Sequence, residues 1–390
     1  PAPVTAACPQ AVVIPSTPVT VSAQAVCPAL PTTPAKPEPV TARYLKSDWS
    51  ALPDWPGADL AASFAAWRQS CTRIGQRNGW AALCNASALV PAQDLAAQQA
   101  FFEQHFQPWQ MGSSTGETEG LITGYYEPLL TGGRAPKQGR VPLHAVPADM
   151  LTIDLAGLYP ELKGMRLRGR VEGNKVVPYY DRRDIDTGRA PLADRVLVWA
   201  DDPVDAFFLQ VQGSGRVQLD DGSLMRVGYA DQNGHPYRSI GRWLADQGEL
   251  PLEQVSMQRI KAWAQANPAR LPELLAANPS YVFFRELPAG DGGPIGALNV
   301  PLTDGASIAI DPKFIPLGAP VYLATTRPDN GAALHRLVQA QDTGGAIRGP
   351  VRADYFWGFG HAAGEVAGKT KQRGRLWLLW PRGMALPEGR

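Results

Sequence analysis

Apolar positions recur at helical steps early in the chain. Leu60, Phe64, Trp67, Cys71 and Ile74 alternate four- and three-residue spacings, so a helix from about Asp59 to Gly75 carries all five on one face. That stripe is core. A second helical pattern spans about Gln93 to Phe106, and two more cover Ser239–Asp246 and Ser256–Gln265, each opened by a serine suited to capping a helix N-terminus. Elsewhere the pattern shortens. Leu121–Tyr125, Arg195–Trp199, Phe207–Gln212, Ala319–Ala324 and Arg375–Trp380 are short apolar runs bounded by Gly, Pro or Asp, as barrel strands usually are. Apolar and polar residues alternate from Val338 to Gln341, which predicts a further strand running into Asp342-Thr343-Gly344-Gly345. Tyr281, Phe283 and Phe284 are expected in the core. The chain is therefore mainly β, with helices at its periphery.

Composition changes this picture at one end. Residues 1–40 hold ten of the 37 prolines, Lys36 and Glu38 as their charges, and no aromatic residue, so they are expected to form an extended tether. The folded body starts near Tyr44. Over 390 residues, 44% apolar content supports two or three domains. Thirty-seven basic against 36 acidic residues leave a net +1 and no basic patch, which argues against a nucleic-acid partner. The chain has no long apolar run and no leader pattern, so as given it is expected to be soluble, like an exported protein after processing.

Cys71 and Cys84 flank Trp80 within one compact element, whereas Cys8 and Cys27 each precede a proline in the tether. A bridge between Cys71 and Cys84 would stabilise by roughly 3 kcal/mol through loop closure and would indicate an oxidising compartment; the alternative is two buried free thiols. The five histidines (His105, His144, His235, His335, His361) show no spacing that converges with cysteines on zinc. Neither a metal nor another cofactor is expected.

Candidate chemistry centres on Asp342. A carboxyl between a strand and paired glycines can act as a catalytic acid, because Gly344 and Gly345 let a ligand approach the backbone. On the tetrapeptide alone, a turn aspartate bonded to its own backbone is the better account. Asp311, before Pro312, and Asp354 are neighbouring acids in sequence, and two of the three could form a glycosidase pair. An aspartic protease would need a second facing Asp-Thr-Gly. Asp186-Thr187-Gly188 supplies the letters, but Arg182, Arg183 and Arg189 surround it and no hydrophobic strand leads into it.

The strings Ser307–Pro312 with Ile315–Gly318, Gln341–Ile347, Ala353–Tyr355 and Gly358–Gly360 closely resemble the three-aspartate domain that closes membrane-bound lytic murein transglycosylase A. Thr123–Pro128, Ala206–Arg216 and Asn278–Glu286 extend the resemblance to roughly residues 43–380. It implies a double-psi β-barrel with an inserted second β-rich domain and a glycan groove between them. The motifs set the expected division: 1–42 as tether, 43–127 and 278–390 as the discontinuous barrel, and 128–277 as the insertion.

The resemblance also implies a function. Asp342 would act alone, first as acid and then as base, cutting peptidoglycan between N-acetylmuramic acid and N-acetylglucosamine and leaving a 1,6-anhydro end. Asp354 and Asp311 are the candidate supporting acids; the alternative is structural, with either acid bonding backbone amides that hold the barrel loops, and the turn before Pro312 favours that for Asp311. Tyr125, Tyr126, Glu127, Gln212 and Ser214 fall in strings resembling groove-lining segments, with Gly344 and Gly345 beside them; Trp357 is a further groove candidate. The expected partners are glycan strands and other cell-wall enzymes, and the expected location is the periplasmic face of the outer membrane, through a lipid anchor absent from this chain. The alternatives are an inverting polysaccharide hydrolase and a non-catalytic wall-binding barrel.

Overall fold

The computed structural model describes residues 41–290 and 292–388. The tether expected over 1–42, Thr41 and Ala42 excepted, lies outside the described residues, as do Cys8 and Cys27. Six strands close a barrel. Around it run Lys371–Pro381, Pro320–Thr326, Ala333–Thr343, Ser307–Ile310, Ala353–Phe359 and Gly120–Glu127, which returns to Lys371–Pro381. Two neighbouring pairs are parallel, Ser307–Ile310 with Ala333–Thr343 and Ala353–Phe359 with Gly120–Glu127; the other four are antiparallel. Phe106–Ser113 and then Ala42–Lys46 extend the sheet from the far half of Lys371–Pro381. That strand changes partners near Gly374, where a Cβ would meet Ile122 at 2.6 Å and Thr325 at 3.0 Å.

The barrel interior is apolar. Ile308, Ile310, Val321, Leu323, Val338, Ala340, Leu376 and Leu378 are all buried there. The predicted first helix, Leu60–Ile74, is capped by Asp59 and packs against Ala333–Thr343. A disulfide joins its Cys71 to Cys84 on the next helix, Ala81–Leu89.

A second six-stranded sheet runs Val282–Leu287, Leu224–Gln232, Ser214–Gln218, Leu129–Gly133, Val196–Ala200, Val141–His144. It curls until its ends meet, with Ala145 bridged to Phe284. The first half of Val282–Leu287 is buried on both faces: Phe284 packs with Val198, Val217 and Val227, while Phe283 joins Tyr179 and Tyr281. The motif boundaries assigned this strand to the barrel, yet it pairs with Leu224–Gln232. We propose the division between the two parts near Leu287.

One predicted strand is a helix. Phe207–Gln212 belongs to Pro203–Gln212, because both ends are fixed by capping. Asp202 accepts from Val204 N at 2.7 Å and Asp205 N at 2.9 Å, Pro203 stands in the first turn, and Gly213 closes the other end at φ 83°. Ala206, Phe207, Leu209 and Gln210 then bury one face. The two serine-capped helices are Ile240–Asp246 and Met257–Ala266.

Candidate active site

The site is built on a slip in register. Along Ala333–Thr343, Val338 and Ala340 belong to the barrel core, while Gln339 and Gln341 turn to the first helix. Gln341 Nε2 donates to Ala66 O and Ser70 Oγ, both at 2.9 Å, and its Oε1 accepts from Ser307 Oγ at 2.6 Å. Strict alternation would then send Asp342 inward, into hydrocarbon. The ladder avoids this: Ile308 pairs with Ala340 but Ala309 pairs with Asp342, leaving Gln341 as the extra residue of a β-bulge. Asp342 is thereby carried to the outer face with Ala309.

Ala309 is also opposite Asp354, and Asp354 is opposite Thr123. Thr123, Asp354, Ala309 and Asp342 thus form one row across four strands. Between the two acids stands only a methyl group, and their backbones, two strands apart, are separated by about 10 Å. Tyr125 and Phe356 form the next row, with ring centroids 5.1 Å apart.

Each acid has a different anchor. Asp342 Oδ1 accepts from Ala297 N at 2.9 Å, in the loop that leads back from the second sheet. Leu298 N donates to Gln341 O at 2.9 Å, and a Cβ on Gly296 would come within 2.6 Å of that carbonyl, so the loop clasps the bulge itself. Asp354 Oδ1 accepts from Thr123 Oγ1 at 2.6 Å, and Thr123 Oγ1 in turn accepts from Arg352 Nη2 at 2.9 Å.

Electrostatics separates them further. Burial lifts the Asp342 carboxyl to about 6; the negative charge of Asp354 adds to the rise, while the amides of Thr343 and Ala297 and the Tyr125 phenol oppose it. Burial also raises Asp354, against Thr123 and Arg352. Tyr125 is pushed far up by burial and then by both carboxylates, and its oxygen is buried with no partner at hydrogen-bonding geometry. A donor is held in reserve beside two acids.

The other predicted residues are distributed around this row. Asp311 is buried in the turn: its oxygens accept from Lys313 N at 3.2 Å and Gly349 N at 3.0 Å. Glu127 is also buried, paired with Arg216 of the second sheet at 3.0 Å. Arg216 lies 4.2 Å from the Phe359 ring centroid and donates to Gly292 O, so this pair ties barrel to second sheet. Tyr126 turns away, its ring against Gly364 and its hydroxyl 3.6 Å from Met257 Sδ. Gln212 receives Tyr126 N at 3.2 Å, and Ser214 opens the adjoining strand, partly exposed. Gly345 faces open space, whereas Gly344 packs on Ile347. Trp357 is not in the groove row; it packs against the barrel core and donates to Thr370 Oγ1 at 2.9 Å. Asp186 ends a short helix and senses Arg182 and Asp181, not Asp342. Among the described residues no group of His, Cys, Asp or Glu is placed to hold a metal.

Sequence reading passed over Thr123, Arg352, Ala297 and Arg216. Thr123 and Arg216 stood inside quoted strings, but the partners that give them meaning are remote in the chain.

The fold is mainly β with a closed barrel, and a carboxylic acid of raised pKa stands on the outer face of that barrel. Comparison with known proteins narrows this. Residues 121–285 match the MltA specific insert domain and 306–380 match the 3D domain. Membrane-bound lytic murein transglycosylase A of Escherichia coli K12 is 34% identical over 281 residues, 70% of this chain and 68% of that protein. The crystal structure of MltA from Neisseria gonorrhoeae is 42% identical with a TM-score of 0.80, covering 90% of this chain and 95% of that one. Escherichia coli MltA with bound chitohexaose is 29% identical with a TM-score of 0.67, covering 87% and 94%. The chain belongs to the membrane-bound lytic murein transglycosylase A family.

Proposed function

We propose that this chain cuts the β-1,4 bond between N-acetylmuramic acid and N-acetylglucosamine with Asp342 as its one proton carrier. That it is a peptidoglycan lytic transglycosylase follows from its family. The observation that carries the finer reading is the unequal state of the two acids. Asp342 is raised to about 6 with no cation beside it, so a useful fraction is protonated near neutral pH; Asp354 has an oxygen committed to Thr123. In the reaction the Asp342 proton passes to the glycosidic oxygen as the C1–O bond breaks. The muramoyl O6 closes on C1, and its proton returns to the Asp342 carboxylate. No water is consumed. Tyr125 would hold the carboxylate between these steps, and Asp354 would supply negative charge beside the cationic sugar.

Binding of chitohexaose by the Escherichia coli relative supports a glycan in the groove. The relatives' description as membrane-bound supports a lipid-anchored enzyme at the periplasmic face of the outer membrane; no helix among the described residues is long and apolar enough to cross a membrane. An inverting hydrolase is the second reading, favoured by the two-strand separation of Asp342 and Asp354. Mass spectrometry of digested sacculi separates the two. Anhydromuramoyl ends, about 18 Da lighter than hydrolysed ones because no water is added, are expected; reducing muramic acid as main product overturns the transglycosylase.

A further inference from the structure

A cleft of about 350 Å³ opens beside the acid row. Its charged lining is Arg348, Arg352 and Arg373 together with Glu117 and Glu119. None of these five takes part in an ion pair among the described residues. Backbone carbonyls hold the arginines instead: Arg348 Nη1 donates to Ile347 O at 3.1 Å, Arg352 Nη1 to Leu121 O at 3.3 Å, and Arg373 Nη2 to Glu119 O at 2.8 Å. Neutral acceptors fix the guanidinium planes of Arg348 and Arg373 and leave N–H groups free, while Arg352 also feels the Asp354 carboxylate. The walls are set by close packing. Arg373 is opposite Leu121 in the ladder, and a Cβ on Gly120 would fall 1.6 Å from Val351 O.

The cleft adjoins the acids through one side chain. Arg352 reaches Thr123 Oγ1 with Nη2 and Leu121 O with Nη1, and Leu121 precedes Thr123 by about 7 Å along the strand. Asp342 and Thr123 are three strands apart, about 14 Å, a span that an extended peptide substituent of about four residues on a muramoyl unit at Asp342 covers.

We propose that the cleft binds the stem peptide of the muramoyl residue being cleaved, with Arg348 and Arg373 taking peptide carboxylates and Glu117 and Glu119 taking a free amine. The assignment rests on the proposed function and names the part of the substrate that function leaves open. A peptide carrying several carboxylates and one ammonium matches a lining of three cations and two anions.

The test compares intact glycan strands with strands stripped of stems by an amidase, using the full chain and an Arg348→Ala/Arg373→Ala variant. The unaltered chain should show a lower KM on intact strands. The variant should raise that KM about tenfold, the loss of one or two charge-assisted hydrogen bonds, and leave stripped strands unchanged. Arg348→Lys/Arg373→Lys should recover part of the preference, which a folding defect would not. Equal KM values for both substrates, or an equal loss on both, overturn the assignment. If anhydro ends form throughout, that failure belongs to the cleft alone; absence of anhydro ends from every digest overturns the reaction it rests on.

Discussion

Glu127 and Asp342 both lie on the outer side of the barrel and are partnered differently. Glu127 is fully enclosed and has Arg216 against it, so its charge is matched although burial still raises its pKa. Asp342 accepts an amide hydrogen from Ala297 with the Tyr125 phenol nearby, has no ion pair among the described residues, and its carboxyl rises to about 6. Both cost desolvation, but the first cost is offset by a joint between barrel and second sheet, whereas the second is left standing. An uncompensated acid is a poor brace and a good proton donor.

The largest test of this contrast is Asp342→Asn, which should lose about a thousandfold or more in kcat while retaining glycan binding, since an amide neither gives nor takes that proton. The same change should strengthen the fold at pH 8. The native carboxyl titrates near 6 against an ordinary 3.8, so between those values the native state holds a proton that the unfolded chain has lost. Stability therefore falls as pH rises from about 4 to 6, and the penalty is complete above. Removing the charge should recover about 3 kcal/mol at pH 8 and nothing below pH 4, measured by urea unfolding at both pH values.

Arg216→Ala should do the reverse. It strands Glu127 in a dry site and should cost about 3 kcal/mol in the same unfolding measurement, with a smaller effect on the rate per folded molecule. Equal stability would mean that Glu127 simply takes up a proton. For the unaltered chain, kcat/KM should fall as pH rises through about 6, because free enzyme must bring a protonated Asp342 to the glycan; a flat profile from pH 5 to 8 removes Asp342 as first donor. The smallest effect is expected from Thr123→Val. Asp354 loses its hydroxyl donor and becomes easier to protonate, so less negative charge faces Asp342 and the pH limb should move down by a fraction of a unit. Thr123→Ser should restore it.

How far the sequence could be read depended on distance along the chain. Caps are local, so Asp59, Ser239 and Ser256 marked helix starts correctly. Asp202-Pro203 and Gly213 are equally local, but the apolar run between them has the length and bounds of a strand. The string around Asp342 was legible, although its outward aim was not: the alternation Val338–Gln341 looks unbroken, and the bulge exists only in pairing with Ser307–Ile310. Thr123 and Arg352 are separated by 229 positions, and nothing in either stretch announces the other.

The bulge at Gln341 makes the enzyme's competence a matter of residue count as well as residue identity. Deleting Gln341 would keep the pairs Ile308–Ala340 and Ala309–Asp342 and leave Asp342 on the outer face, yet it would remove the amide held by Ala66, Ser70 and Ser307 and the carbonyl that receives Leu298 N. Every letter of the motif from Asp342 to Ile347 would survive, with the acid on its own face and the braces behind it gone. A substitution at Gln341 would remove only its side-chain bonds, while a single-codon deletion would also remove the carbonyl by which the loop at Leu298 grips the strand.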